Sequence, residues 1–135
     1  MQTFDNYSYF DGVNIKPQQQ ISISNEKISE IRTSEQNKEN TDLIIPGFVD
    51  LQIYGAGGKL FSAEPTEENI ASIEDDLLAE GTTSFLICLA TNTPQVFDEC
   101  IRVIKNHQNH SRNCLGLHLE GPFINPEKRG AHVKE

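Results

Sequence analysis

The sequence predicts an α/β fold in which three parallel strands alternate with two helices and a smaller β region precedes them. Three buried apolar runs are separated by two segments whose apolar residues recur at the helical period, an alternation typical of right-handed βαβ crossovers. Residues 1–42 show only short apolar runs broken by polar ones. We therefore predict two regions, 1–42 and 43–135. The second is either an incomplete (β/α)8 barrel of three βα units or a small open sheet.

The first region is expected to form antiparallel strands. Ile21–Ser24 alternates at period two, Asn25–Lys27 is turn-like, and Ile28–Ile31 resumes the apolar spacing, which together predict a hairpin. Thr33–Asp42 is almost wholly polar, and we interpret it as an exposed loop.

The second region begins with a predicted buried strand, Phe48–Ile53, after the short apolar entry Leu43–Ile45. The following Gly55–Gly58 lacks the lysine and hydroxyl residue of a phosphate-binding loop, so it is interpreted as a tight turn. Thr66 is the expected N-cap of the first helix, and Gly81 its stop. The apolar stripe of this helix is predicted to consist of Ile70, Ile73 and Leu77.

A second strand, helix and strand follow in the same rhythm. Thr82–Ala90 is β-branched and apolar on both faces, as expected of a parallel strand covered on both sides. Thr93 and Pro94 are predicted to start the second helix, and Cys114–Leu119 is the third strand. The second helix is expected to bury Phe97, Cys100, Ile101 and Ile104.

Charge and length exclude several classes of function. The chain has 135 residues and a formal charge of -9, so it would repel nucleic acid and anionic lipid, and it is too short for a closed eight-stranded barrel. The N-terminus lacks a signal peptide and no apolar stretch reaches membrane-spanning length, so we expect a cytoplasmic protein. Cys88, Cys100 and Cys114 are interpreted as reduced core thiols.

Polar residues cluster just after each predicted strand. His118 and Glu120 lie at i and i+2, so an extended chain turns both side chains to one face, where they can bind a divalent metal or exchange protons. The alternative is a salt-bridged or solvated strand end. The complete set of strand-end residues is Gln52, Tyr54, Thr91, Asn92, His118 and Glu120.

A basic loop and two further histidines complete the candidates. Lys128–His132 contains two cations, a glycine and an imidazole, which can hold a phosphorylated ligand or form ordinary solvated surface. His107 and His110 lie near the end of the second helix, where an exposed or dipole-stabilised histidine is common, and we assign them no site role.

Two motifs resemble a known enzyme family. Ile45–Gln52 is similar to the opening barrel strand of amidohydrolases. Gly116–Phe123, together with Lys128–His132, resembles the third-strand motif and following loop of the N-acetylglucosamine-6-phosphate deacetylases. The resemblance covers about residues 43–135. It implies the first three βα units of a TIM-like (β/α)8 barrel, preceded by part of a small β-sandwich domain.

The resemblance also implies site residues. It makes Glu120 a ligand of one divalent metal ion, with zinc preferred, and it places Ala131, His132 and Gln52 at the substrate. Many amidohydrolases carry histidines where this chain has Gln52 and Tyr54, so a single-metal site is implied. The catalytic aspartate of the family is expected beyond Glu135, so none of the present residues is assigned as catalytic and the 135 residues alone are expected to be inactive.

The implied reaction is hydrolysis of N-acetylglucosamine 6-phosphate to glucosamine 6-phosphate and acetate by a full-length homodimeric enzyme of amino-sugar metabolism. Two alternatives stay open at this point. One is an amidohydrolase that acts on a different amide, and the other is a non-catalytic β/α module that only binds a ligand or partner.

Overall fold

The computed structural model describes residues 1–36 and 40–132, and the chain divides into two units. The first unit is Met1–Pro46 and the second is Gly47–Glu135. Each unit contains its own sheet. The change of sequence texture at Leu43 falls just before this boundary, because Leu43 and Ile44 pair with a strand of the first unit.

The first unit is a four-stranded sheet of order β3-β2-β1-β4, in which β1, β2 and β3 are antiparallel and β4 is parallel to β1. The predicted hairpin is confirmed: Asn25 and Glu26 join β2 to β3 with φ angles of 51° and 60°, as expected of a two-residue type I′ turn. The predicted loop over residues 33–42 lies partly outside the described residues, and Thr33 itself ends β3. The strands are β1 (Gln2–Phe10), β2 (Ile15–Ser24), β3 (Lys27–Thr33) and β4 (Leu43–Ile44).

The second unit is a three-stranded parallel sheet of order β5-β6-β7 whose strands are connected by helices. The parallel α/β arrangement predicted from the sequence is therefore confirmed. Short 3₁₀ turns lie at Phe61–Ala63 and Pro126–Lys128. The main elements are β5 (Phe48–Ile53), α1 (Glu67–Ala79), β6 (Thr82–Leu89), α2 (Pro94–His107) and β7 (Cys114–Leu119). No helix among the described residues is long and apolar enough to cross a membrane.

Helix α1 forms as predicted. The Thr66 hydroxyl accepts a hydrogen bond from the Asn69 N–H at 3.1 Å, which caps the first turn. Gly81 follows the helix with a φ of 90°, a conformation that glycine adopts without strain. The predicted stripe of Ile70, Ile73 and Leu77 is buried against the sheet.

Helix α2 begins at Pro94 with Thr93 as its cap, as predicted. The predicted stripe is wrong at Ile101, which is 41% exposed. The buried face is centred near Cys100, so the helical period turns Val103 and His107 inward and Ile101 outward. The sequence pattern missed His107 because histidine is not counted among apolar residues.

The prediction that β5 is buried is also wrong. Phe48, Val49 and Leu51 are 59%, 60% and 56% exposed, because β5 is an edge strand of the three-stranded sheet. The opposite edge, β7, likewise exposes Leu115 and Leu119. The middle strand β6 has the expected burial, which includes Phe85, Ile87, Cys88 and Leu89.

The core lies between the sheet and the two helices, and it includes Phe61, Ile70, Ile73, Phe85, Ile87 and Cys100 with no exposed surface. Cys88, Cys100 and Cys114 are free and buried, as the sequence predicted. Burial raises the pKa of the Cys100 thiol to about 11.

A buried carboxylate connects α1 to the start of β7. Glu74 is 1% exposed, and its Oε1 accepts hydrogen bonds from the Ser111 hydroxyl at 2.5 Å and from the Cys114 N–H at 3.2 Å. Its Oε2 lies 3.2 Å from His107 Nε2 and 3.7 Å from Arg112 Nε. Burial opposes ionisation, but the hydrogen bonds from Ser111 and Cys114 and the attraction of His107 outweigh it, so the pKa of Glu74 is lowered.

Candidate functional site

The polar residues that follow the three strands of the second unit meet at one edge of its sheet. This is expected because the carboxyl ends of parallel strands lie side by side. Three of them, Tyr54, Thr91 and Glu120, border an open cavity, which the loop after β7 closes from one side. The cavity is lined by Tyr54, Ala90, Thr91, Glu120, Ala131 and His132.

Glu120 is the centre of this group. The Tyr54 hydroxyl donates a hydrogen bond to Glu120 Oε2 at 2.6 Å, and the Gln52 side-chain amide donates one to Oε1. The bond from Tyr54 is the main reason that the pKa of Glu120 lies below its usual value, while partial desolvation acts in the opposite direction. Two residues from the end of β5 therefore hold an ionised carboxylate at the end of β7.

His118 lies beside this carboxylate in a defined tautomer. Its Nδ1 is 2.8 Å from the Leu51 carbonyl oxygen, and a carbonyl only accepts, so Nδ1 carries the proton. The neutral ring therefore has its lone pair on Nε2. A backbone carbonyl that fixes a histidine in this way is a common outer support of metal-binding histidines.

Cys88 completes a group of three possible metal ligands. One donor atom each from Cys88, His118 and Glu120 lies within 4.8 Å of the others. The expectation that His118 and Glu120 share a face is met, whereas the sequence interpretation gave Cys88 only a core role. Cys88 is identified by the register of the two strands, because Cys88 in β6 is paired with His118 in β7.

The donor set fits a divalent ion of borderline softness. Zinc binds cysteine sulfur, histidine nitrogen and carboxylate oxygen at about 2.0–2.3 Å, so ligands of one tetrahedral ion lie roughly 3.3–3.8 Å apart, and donor atoms within 4.8 Å of one another need only a small adjustment to reach that spacing. Three protein ligands leave a fourth position for water or substrate. Burial and the nearby Glu120 charge raise the pKa of the Cys88 thiol, so a bound cation would be needed to stabilise the thiolate.

The loop after β7 brings His132 into the cavity. Thr91 Oγ1 donates to the Glu120 carbonyl at 3.1 Å and lies 2.9 Å from His132 Nδ1. Since the hydroxyl proton is already used, Nδ1 must donate to Thr91, which leaves Nε2 of the neutral ring as an acceptor. Arg129 donates from its guanidinium to the His132 carbonyl and so braces the loop.

The remaining candidates lie around this cavity or away from it. Asn92 does not line the cavity, and its side chain accepts from the Thr93 N–H at 2.9 Å. Lys128 is exposed in a 3₁₀ turn. The Gly55–Gly58 segment forms a tight turn closed by the Lys59 N–H and the Ala56 carbonyl at 2.9 Å.

No protein-family model matches the chain. The sequence is nevertheless similar to those of several known proteins. The chain is 43% identical over 94 residues to human N-acetylglucosamine-6-phosphate deacetylase, a match that covers 67% of this chain and 23% of the relative. It is 34% identical over 90 residues to the Haemophilus influenzae enzyme of the same name, covering 66% of this chain and 24% of the relative.

A solved structure matches nearly the whole chain. The crystal structure of N-acetylglucosamine-6-phosphate deacetylase from Pasteurella multocida superposes with a TM-score of 0.84 at 27% identity, covering 98% of this chain and 37% of that one. The chain thus spans about a quarter of the length of the curated relatives it matches. These similarities confirm the resemblance seen in the sequence.

Proposed function

We infer that the chain belongs to the N-acetylglucosamine-6-phosphate deacetylase family of amidohydrolases and forms part of a hydrolase that converts N-acetylglucosamine 6-phosphate to glucosamine 6-phosphate and acetate. The observation that carries the proposal is the ionised Glu120, held at the carboxyl edge of a parallel sheet by Gln52 and Tyr54. Similarity to enzymes of this name supports the choice of reaction. A homodimer is proposed on the resemblance alone, and a cytoplasmic location is proposed as the sequence analysis expects.

We further propose that β5-α1-β6-α2-β7 provides three βα units of a (β/α)8 barrel and that the first unit is part of a small β-sandwich domain. The exposed apolar side chains on both edge strands support the barrel, since further strands would pair with the open edges of β5 and β7 and, on closure, enclose the side chains that face the barrel interior. The boundary between the two domains is proposed at Pro46.

Glu120 is proposed as a ligand of one zinc ion, with His118 Nε2 and Cys88 Sγ as the neighbouring donors that the chain offers. When bound, the ion polarises the amide carbonyl and lowers the pKa of a coordinated water. The protein contributes the orientation of the donors: Gln52 and Tyr54 fix the carboxylate, and the Leu51 carbonyl fixes the imidazole.

The substrate is proposed to contact Ala131 and His132, which line the cavity beside Glu120. With Nδ1 donating to Thr91, His132 presents Nε2 as an acceptor for a sugar hydroxyl. Gln52 is placed to contact the substrate or to orient the metal ligand, and its bond to Glu120 supports the second role. General acid–base catalysis is assigned to none of the cavity residues that the structure describes.

The direct test is Glu120→Gln in the complete protein. Because an amide is a weaker ligand for a dication than a carboxylate, we expect metal content after dialysis and acetate release both to fall by at least about a hundredfold. Elemental analysis and an acetate assay measure the two. Glu127→Gln is the matched control, since Glu127 is exposed in the following loop and does not line the cavity. Full metal occupancy in the Glu120 variant would contradict the ligand assignment.

His132→Ala tests the substrate contact separately. We expect the KM for N-acetylglucosamine 6-phosphate to rise roughly tenfold with little change in kcat, as expected for loss of about one hydrogen bond made equally in ground and transition states. A fall in kcat alone would contradict the assigned role. Hydrolysis of another amide, without acetate release from the sugar phosphate, would favour a different amidohydrolase.

Cys88→Ser tests whether Cys88, which the sequence did not suggest as a metal ligand, binds the ion. In cobalt-loaded protein, a thiolate ligand gives a sulfur-to-metal charge-transfer band in the near ultraviolet. We expect Cys88→Ser to abolish this band and Cys100→Ser, which changes another buried thiol in α2, to retain it. Presence of the band in both variants would exclude Cys88 as a ligand.

A further inference from the structure

We propose that Glu67, His107 and His110 bind a second divalent cation of the zinc class, at a site that shares no residue with the cavity around Glu120. One donor atom from each of the three residues lies within 4.8 Å of the others. Glu67 Oε2 and His110 Nε2 are 3.1 Å apart. The His107 and His110 rings meet edge to face, with their centroids 5.3 Å apart.

The local fold explains why these side chains meet. Glu67 is the first residue of α1, at the turn that Thr66 caps. His107 is the last residue of α2, and the His110 N–H donates to the His107 carbonyl at 3.0 Å in the turn that follows. This three-residue spacing in a closed turn brings both imidazoles to the same side, where they face the start of α1.

His107 is held in a way that suits a ligand. The residue is 4% exposed, and its Nε2 lies 3.2 Å from Glu74 Oε2, close enough for attraction although the angle is not that of a hydrogen bond. A carboxylate behind one ring nitrogen is the usual outer support of a metal-binding histidine. We therefore assign Nδ1 of His107 to the cation, with Glu74 fixed in turn by its bonds to Ser111 and Cys114.

The pair Glu67–His110 alone would be an ordinary surface ion pair, since the two side chains are 44% and 61% exposed. His107 distinguishes this cluster from such a pair. Its buried imidazole supplies a third donor atom, which a surface ion pair does not need. Two imidazoles and one carboxylate select zinc, cobalt or nickel over magnesium and calcium, which prefer all-oxygen sites. Three protein ligands leave one position for water.

The test is titration of the complete protein with zinc in the Glu120→Gln background, which weakens the proposed cavity site. Calorimetry measures stoichiometry and affinity, and long-range proton–nitrogen NMR reads the imidazole nitrogens directly. We expect one bound zinc and shifted ring-nitrogen signals for both His107 and His110. Glu67→Gln and His110→Ala should each weaken this binding by at least about tenfold.

Glu68→Gln is the matched control, because Glu68 is the adjacent exposed residue of the same helix turn and loses the same charge. It should bind zinc as tightly as the parent. Both test variants alter exposed side chains, so they are expected to fold, and their circular dichroism verifies this. Unshifted histidine signals, or equal affinity in the Glu67, His110 and Glu68 variants, would overturn the proposal. Either result would leave the function proposed for Glu120 untouched.

Discussion

Glu74→Gln is a substitution of a buried polar residue for which the structure predicts a clear loss of stability. The glutamine keeps one acceptor oxygen for Ser111 and Cys114, but it replaces Oε2 by an NH2 group. That group would face the Arg112 guanidinium, which is also a donor, where the carboxylate now provides an ion pair at 3.7 Å. Removing one partner of a fully buried pair costs up to about 3–5 kcal/mol. The Arg112 side chain is half exposed and one acceptor oxygen is retained, so the cost here should be about 2 kcal/mol.

Glu74→Leu should cost more, about 4 kcal/mol, because it also removes the carboxylate oxygen that accepts from the Ser111 hydroxyl and the Arg112 N–H, and the Cys114 N–H then keeps only its bond to Ser111 Oγ. With a typical urea dependence of about 2 kcal/mol per molar, the glutamine variant should lower the unfolding midpoint by about 1 M. Circular dichroism in urea, with a chelator present, measures this. Hydrogen exchange at the Cys114 amide should accelerate in parallel.

Asp75→Asn is the control, because Asp75 is the neighbouring acidic residue and pairs with Arg112 at 2.7 Å on the exposed side of α1. An exposed pair contributes about 0–1 kcal/mol, so the midpoint should shift little. If Glu74→Gln shifted the midpoint no more than Asp75→Asn, or if Glu74→Leu were as stable as the parent, the reasoning about buried hydrogen-bond acceptors would be refuted.

Three further predictions concern other parts of the chain. The Cys100 thiol, with no exposed surface and a pKa of about 11, should resist Ellman's reagent at pH 8 until the protein unfolds, and rapid reaction in the native state would contradict its burial. Backbone N–H bonds from Asn14 and Val13 and the Lys16 ammonium lower the pKa of Asp11 to about 2, so its stabilising contribution should be complete above pH 3.8 and disappear as the pH falls through about 2. Carboxylate NMR measures this, and a midpoint near 3.8 would contradict it. Gly47→Ala should destabilise the second unit by about 1–3 kcal/mol because the added Cβ overlaps the Thr83 side chain, and Thr83→Ala should restore part of the loss in thermal unfolding.

The sequence was sufficient for elements whose determinants are local. Helix α1 follows from a capping threonine, an apolar stripe at the helical period and a terminal glycine, and all of these act within a few residues of one another. The hairpin between β2 and β3 likewise follows from alternation around Asn25 and Glu26. The topology of the second unit follows from alternation as well, because βαβ crossovers have one favoured hand.

The errors arose where burial depends on distant partners. The Phe48–Ile53 segment is apolar enough for a buried strand. Its exposure depends on which other elements pack against it, and β5 is an edge strand in this structure. On α2, Ile101 was predicted to be buried but is exposed, and His107 is buried in its stead, because contact with the sheet and α1 decides which face of the helix is buried. His107 is buried beside the Glu74 carboxylate, a partner 33 positions away that no local pattern indicates.

The candidate site shows the same division. The i, i+2 spacing of His118 and Glu120 is a property of one strand, so the sequence alone placed them on one face. Cys88 joins them only because β6 and β7 pair in a register that sets Cys88 opposite His118. Gln52 and Tyr54 reach Glu120 from a third strand, so their roles as hydrogen-bond donors to it also depend on how the strands are arranged.

That register has a visible physical cause on the helix side of the sheet. Glu74 of α1 binds the N–H of Cys114, the residue at which β7 begins, and Cys114 is paired with Phe85 of β6. The ladder then continues through one irregularity to the pair Cys88–His118. The buried Glu74 carboxylate and the Ser111 hydroxyl both bind the start of β7, and through the ladder they favour the register in which Cys88 stands beside His118. Because a slip of one residue would turn every β7 side chain to the opposite face, the same contact that stabilises the fold also helps to keep His118 on the same face as Glu120, which lines the cavity.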